Sequence, residues 1–274
     1  MFMKLNKPLM ALALAGLALN AHAHRPWMVP SSTMVEAKDP WVTVDAAVSE
    51  GLFDIDHQPL KLDALEITGP DGARVQPENV ITGRLRSVFD VKLAKPGTYK
   101  AAIVAKSVLA SYKVDGEIKR WRGTEEAFAK AIPADAKEVT TTRTLSRMET
   151  FFSAASTSEA VFKPTGVGLE FVPVSHPNDM RTGDKATWRF LIDGKPAANL
   201  AFSLVPGGVR YRGVLGEIRQ STDAKGEISF ALPAPGMYFL STSWPAPAAA
   251  AAGQAPEQPA RRLAYSATVE VLPQ

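Results

Sequence analysis

A seven-residue signature occurs once in each half of the chain: Leu93-Ala94-Lys95-Pro96-Gly97-Thr98-Tyr99 matches Leu232-Pro233-Ala234-Pro235-Gly236-Met237-Tyr238. Each copy follows an alternating stretch, Val88 to Leu93 or Ile228 to Leu232, and precedes another run of strand-forming residues. Period-two alternation interrupted by Pro-Gly is the pattern of a strand, a sharp turn and a returning strand. Its repetition reads as an internal duplication. The expected fold is therefore all-β, with two tandem antiparallel β-sandwich domains of transthyretin or carboxypeptidase-regulatory type.

The rest of the pattern fits that frame. Trp41 to Val48 and Leu65 to Thr68 read as strands, and Gly69-Pro70-Asp71-Gly72 is a turn. In the second half, Thr187 to Pro196 reads as a strand entering a tight turn, followed by Leu200 to Val205; Leu263 to Val271 is the last strand. Between the copies, Thr124 to Ile132 opens on a capping residue with acids in its first turn, which predicts a short helix. The threonine-rich run Val139 to Leu145 favours extended structure. Met148 to Phe162 is compatible with pairing to that run or with crossing between the domains, and the pattern does not choose. Residues 24–115 then form the first sandwich, 116–165 a connecting segment with a short helix, and 166–274 the second sandwich. Within the latter, residues 245–259 are rich in Ala and Pro, too uniform to build a core, and read as a mobile loop.

The N-terminus carries the strongest functional signal. Lys4 and Lys7, an apolar run from Leu9 to Leu19, and the small residues Ala21 and Ala23 have the order of a secretory signal peptide over residues 1–23. The run is too short to span a bilayer, and no later segment reaches the roughly 18 apolar residues a membrane helix needs. The expected location is periplasmic. Cleavage after Ala23 leaves His24 as the first residue, whose α-amino nitrogen and ring Nδ1 can chelate one metal. Cleavage after Ala21 leaves His22 there instead.

Of the 274 residues, 31 are Lys or Arg and 28 Asp or Glu, and the formal charge of +3 falls to +1 without Lys4 and Lys7. No basic block points to nucleic acid. Cysteine is absent, so a metal site must use nitrogen, oxygen or thioether donors. The histidines of the mature chain are His24, His57 and His176; none of them forms an HxH or HExxH pair there, so any shared site must be assembled by tertiary folding. If His24 meets one other histidine, the result is a histidine brace, a three-nitrogen arrangement suited to copper. Lone histidines beside proline are also common turn residues, as are Asp54 and Asp56 beside His57. Met28, Met34 and Met180 are conceivable thioether donors, but methionines usually serve as packing. The five tryptophans could build a sugar-stacking face or fill cores. No GxSxG elbow, phosphate-cradling glycine loop or cysteine nucleophile marks an enzyme.

The segments His24-Arg25-Pro26-Trp27-Met28-Val29-Pro30, Asp39 to Ala46, Asp56-His57-Gln58-Pro59-Leu60 and His176-Pro177-Asn178-Asp179 together resemble the periplasmic domain-of-unknown-function family 4198, often labelled a nickel-transport, NikM-like component. The resemblance covers nearly the whole mature chain. It implies a secreted metal-binding accessory protein for transition-metal uptake or delivery, handling Cu, Ni or Co with possible iron-uptake association. Its partner would be a membrane uptake system or an outer-membrane receptor. His24, His57 and His176 each stand inside a matching motif and are the expected metal ligands. The label also implies membrane spans in some relatives, and this sequence has none after its signal. Two other classes stand beside this one: a non-metal module binding a polysaccharide or partner protein, and a copper-dependent oxidative enzyme.

Overall fold

Alternation in the sequence becomes alternation in burial. Along Ser87–Lys92 every second residue is buried, with Phe89 and Val91 inside and Lys92 outside, because successive strand residues point to opposite faces. The computed structural model from which this follows describes residues 24–246 and 259–274. The expected signal segment and most of the Ala/Pro-rich loop lie outside the described residues.

In chain order the first half holds β1 (Arg25–Pro30), β2 (Met34–Val35), β3 (Trp41–Ser49), β4 (Gln58–Pro59), β5 (Leu65–Thr68), β6 (Arg74–Val75), β7 (Glu78–Thr82), β8 (Ser87–Lys92), β9 (Gly97–Val114) and β10 (Glu117–Gly123). Helix α1 (Glu125–Ala131) and β11 (Lys137–Ala154) follow. The second half holds β12 (Leu169–Pro173), β13 (Lys185–Ile192), β14 (Lys195–Pro196), β15 (Ala201–Pro206), the single turn α2 (Val209–Arg212), β16 (Ile218–Ser221), β17 (Glu227–Ala231), β18 (Gly236–Trp244) and β19 (Arg261–Val271). The protein is all-β. Helix α1 starts where the sequence predicts, with Thr124 Oγ1 accepting the Ala127 N–H at 3.3 Å.

A small sheet in the order β1-β3-β8-β7 covers one part of a ten-stranded sheet, and a second small sheet of β12, β13, β14 and β17 covers another. The ten-stranded sheet runs β16-β15-β18-β19-β11-β9-β5-β6, with β10 also paired to β9 and β2 to β11. Its middle is a parallel pair, β11 against β19, with Leu145 opposite Leu263 and Thr150 opposite Thr268. Of the segment from Met148 to Phe162, unassigned by pattern, residues 148–154 thus form the second part of the strand through which the two sandwiches share a sheet, and Ala160–Phe162 form a 3-10 turn beyond it. Met148 and Phe152 of β11 enter the first core with Tyr99, Phe89 and Val44. Phe151, between them, enters the second with Trp188, Phe190 and Tyr265. The two cores therefore lie on opposite faces of the shared sheet.

The duplicated signature folds the same way twice. Tyr99 Oη donates to the Lys95 carbonyl at 3.0 Å, and Tyr238 Oη donates to the Ala234 carbonyl at 2.8 Å, four residues back in each case. Both rings are buried, so each hydroxyl needs that partner. Gly97 and Gly236 hold φ of 120° and 133°, a region that L side chains avoid.

A third, smaller cluster locks the two sandwiches together and positions the site. Trp27 of β1 and Leu52 pack on Val205 and Phe239, which lie on the face of the large sheet away from the second core. Phe53 joins them edge-on, 5.7 Å from Trp27 and 6.4 Å from Phe239 between ring centroids. It adopts φ of 64°, a strained value for a bulky residue, and is partly buried against the cluster.

Candidate metal centre

The end of β3 gathers the site. β1 runs antiparallel to β3 with Arg25 opposite Ser49, which places His24 beside Glu50 where the chain leaves the strand. β4 also pairs with β3, with Gln58 opposite Val48, and brings His57 back to the same end. His24, Glu50 and His57 form one exposed group whose ligand atoms all lie within 4.8 Å of one another. The two imidazoles stack with centroids 4.0 Å apart and planes 9° from parallel. His24 Nε2 lies 3.4 Å from Glu50 Oε1. With the proton on Nε2, the ring donates to the carboxylate and keeps the Nδ1 lone pair free, and Nδ1 is the nitrogen nearest the backbone amine.

The loop between Glu50 and His57 is held from several sides. Asp56 accepts the backbone N–H groups of Glu50 and Gly51, each at 3.0 Å. Asp54 N donates to the Gly51 carbonyl at 3.0 Å. Ser49 is buried, accepts the Trp27 indole N–H at 2.7 Å and donates to the Gly51 carbonyl at 2.6 Å. The aspartates singled out beside His57 act here as a brace for the loop, and Asp56 fixes the backbone that carries Glu50.

His176 is placed elsewhere. Its Nδ1 accepts the Asn178 backbone N–H at 3.1 Å, so its proton sits on Nε2, which donates to Thr98 Oγ1 at 3.0 Å. Its ring packs edge-on to Phe162 at 5.4 Å, and none of these contacts involves His24 or His57. Burial holds its pKa below the usual imidazole range, opposed by the negative charges of Asp179 and Glu159. Asn178 extends the network, donating to the Thr33 carbonyl at 3.1 Å and to Ser153 Oγ at 2.8 Å. With both ring nitrogens engaged inside the protein, His176 ties its own loop in the second half to the start of β9 in the first.

The methionines divide similarly, Met28 in the first core and Met180 in the second. Trp27 and Trp188 are buried, while Trp41 lies under Lys92 Nζ at 5.3 Å. Glu50 is the site residue that the sequence did not single out. Its signal was positional: a carboxylate at the exit of β3, one residue beyond the register partner of Arg25.

Fold and geometry define a class, an all-β protein of two sandwiches sharing one sheet, with a paired-histidine cluster at its surface. The chain belongs to the family described as domain of unknown function (DUF4198), which matches residues 21–246. No curated protein matches it. Among solved structures it is similar to the D0-D1 domain of intimin, with 11% identity, coverage of 89% of this chain and 97% of that one, and a TM-score of 0.22. A Salmonella alpha-2-macroglobulin reacted with methylamine shows 13% identity over 91% of this chain and 15% of that one, also at 0.22. A DUF4785 family protein from Legionella pneumophila shows 11% identity over 78% and 50%, again at 0.22. No helix among the described residues is long and apolar enough to cross a membrane.

Proposed function

We propose that His24 and His57 bind a transition-metal ion, that Glu50 orients His24, and that the chain is an exported accessory protein for metal uptake or delivery. The observation that carries this is the convergence of two imidazoles and a carboxylate, from segments 24, 50 and 57, within 4.8 Å on a braced loop. The donor set fits such an ion. Metal–nitrogen bonds of about 2.0–2.1 Å, as for zinc, require two ligand nitrogens no more than about 4.2 Å apart, and both rings are exposed, free to turn out of their stack so that their in-plane lone pairs meet on one ion.

The order of basic, apolar and small residues in segment 1–23 supports export and cleavage before His24. That cut adds the α-amino nitrogen to the free Nδ1. Glu50 then holds the opposite ring nitrogen, the outer-shell arrangement that fixes the tautomer of metal-bound histidines. Copper(II) is the first choice among Cu, Ni and Co because it heads the divalent affinity order at nitrogen sites. An exposed site suits an ion that must be handed on to a membrane uptake system.

The test is titration of processed protein with Cu(II) and Ni(II), with intact mass confirming that the chain starts at His24. His24→Ala and His57→Ala are expected to weaken binding at least about tenfold, a loss of about 1.4 kcal/mol, and Glu50→Gln less. His176→Asn is expected to leave it unchanged. Equal affinity in all of these proteins would reject the site.

A further inference from the structure

The large sheet has a free edge at β10. Strand β9 pairs with β5 only through Lys100 to Ile103 and then runs on to Val114, where Asp115-Gly116 turns the chain back. Asp115 and Gly116 hold φ of 52° and 80°, the two positive values of a tight Asp-Gly hairpin. Past the turn, Glu117 stands opposite Val114 and Gly123 opposite Val108. β10 pairs with no strand but β9.

Hairpin geometry says which backbone groups are left over. In a two-residue hairpin the pair closing the turn exchanges both hydrogen bonds, and bonded pairs alternate from there. Glu117, Lys119, Trp121 and Gly123 are therefore bonded to β9, while the N–H and C=O groups of Ile118, Arg120 and Arg122 point away from it. Those groups find no backbone partner among the described residues. They recur about every 6.8 Å, the spacing an added strand requires.

Side chains select what can add. Ile118, Arg120 and Arg122 project on one face of β10, while Trp121 projects on the other and packs on Phe128 of α1 at 5.7 Å between ring centroids. Ile118 is 65% exposed. The neighbouring lysines are matched, Lys119 with Glu117 at 2.5 Å and Lys113 with Glu138 at 2.7 Å. Arg120 and Arg122 are exposed and have no carboxylate partner among the described residues. Two unpaired guanidiniums at successive same-face positions call for carboxylates at that same spacing. A second copy does not supply them. Antiparallel pairing of two β10 strands about Arg120 sets that arginine against itself and Ile118 against Arg122, which repels. Charges that guard an edge against self-pairing thus leave it open to an acidic strand.

We propose that β10 is a docking edge for an extended acidic segment of a partner protein, which joins the sheet as a further strand and sets its carboxylates beside Arg120 and Arg122. Main-chain bonds supply affinity in such an addition, and alternate side chains supply selectivity. Neither His24 nor His57 takes part in it.

The probe is a capped peptide of alternating Glu and Val, titrated into full-length processed protein and followed by amide NMR and hydrogen exchange. Wild type is expected to bind it saturably, with exchange slowed at the N–H groups of Ile118, Arg120 and Arg122. A peptide with Lys for each Glu, and one with Pro for each Val that keeps the charge but cannot complete the ladder, are expected to give no such protection. Arg120→Glu/Arg122→Glu is expected to bind the Glu peptide at least about tenfold more weakly, as two cross-strand pairs turn from attraction to repulsion, and to gain binding of the Lys peptide. Arg120→Pro removes one outward N–H at an edge position where proline is tolerated, and is expected to abolish the protection with an unchanged far-UV spectrum; the charge-reversed pair carries the test if the proline variant does not fold. Absence of saturable binding, equal binding of the Lys or Pro peptide, or unchanged affinity after charge reversal overturns the proposal. Edge protection that rises with protein concentration in the absence of peptide would identify a second copy as the occupant, and overturns it too.

Discussion

Ser49→Ala tests whether the end of β3 is held as described. Ser49 is fully buried and makes two bonds, accepting from Trp27 Nε1 at 2.7 Å and donating to the Gly51 carbonyl at 2.6 Å. Alanine removes both while keeping the strand. The Gly51 carbonyl can turn to water, because Gly51 is only partly buried, so its loss is the ordinary net worth of a hydrogen bond, about 1 kcal/mol. The indole N–H has no such recourse, since Trp27 is 2% exposed, and an orphaned buried donor costs about 1–3 kcal/mol. The expected destabilisation is therefore about 2–4 kcal/mol, read by urea unfolding as a lower midpoint at constant slope. A double-mutant cycle with Trp27→Phe, which removes the donor itself, should return a coupling of about 1–2 kcal/mol. A loss below about 0.5 kcal/mol, or strict additivity in the cycle, would show that the Trp27–Ser49 bond does not hold this strand end.

Asp56→Ala removes the acceptor for two loop N–H groups; since the loop is exposed, stability should change by under about 1 kcal/mol, while Cu(II) affinity falls several-fold in the same titration. Burial lowers the His176 pKa, so on acidification the unfolded chain takes up this proton first, from its ordinary value of about 6.5. The His176 contribution is thus complete above that value and is lost as pH falls through the depressed folded value; stability measured against pH should show this acid limb in wild type and a flatter one in His176→Asn. Gly226 holds φ of +74°, and a Cβ there would stand 2.5 Å from the Phe190 carbonyl oxygen and 2.9 Å from the Ala197 nitrogen. Gly226→Ala should therefore destabilise by about 3 kcal/mol or more, or fail to accumulate folded.

The sandwiches were legible because their signals are local. Val88 to Leu93 alternates within one strand, and Pro-Gly-Tyr places a turn, a left-handed glycine and a buried hydroxyl within four residues. The parallel pairing of β11 with β19 was not legible. A parallel pair has no connecting hairpin, its partners stand more than a hundred residues apart, and the threonines of β11 announce extended structure without naming a neighbour. The same difference separates the histidines. His57 and His176 look alike in sequence, each within two residues of an Asx residue and a proline. Only tertiary packing turns one toward His24 and seals the other between Phe162 and Thr98. Glu50 resembled any solvated carboxylate at a strand exit, and the register of β1 on β3 is what gives it a partner.

The most direct measurement is the Cu(II) electron paramagnetic resonance spectrum of processed protein starting at His24, beside His57→Ala and a form with one extra residue before His24. A site built on His24 and His57 predicts nitrogen superhyperfine structure that simplifies in His57→Ala and changes again when the extra residue moves the free amine away. Superimposable spectra from all three proteins would contradict it.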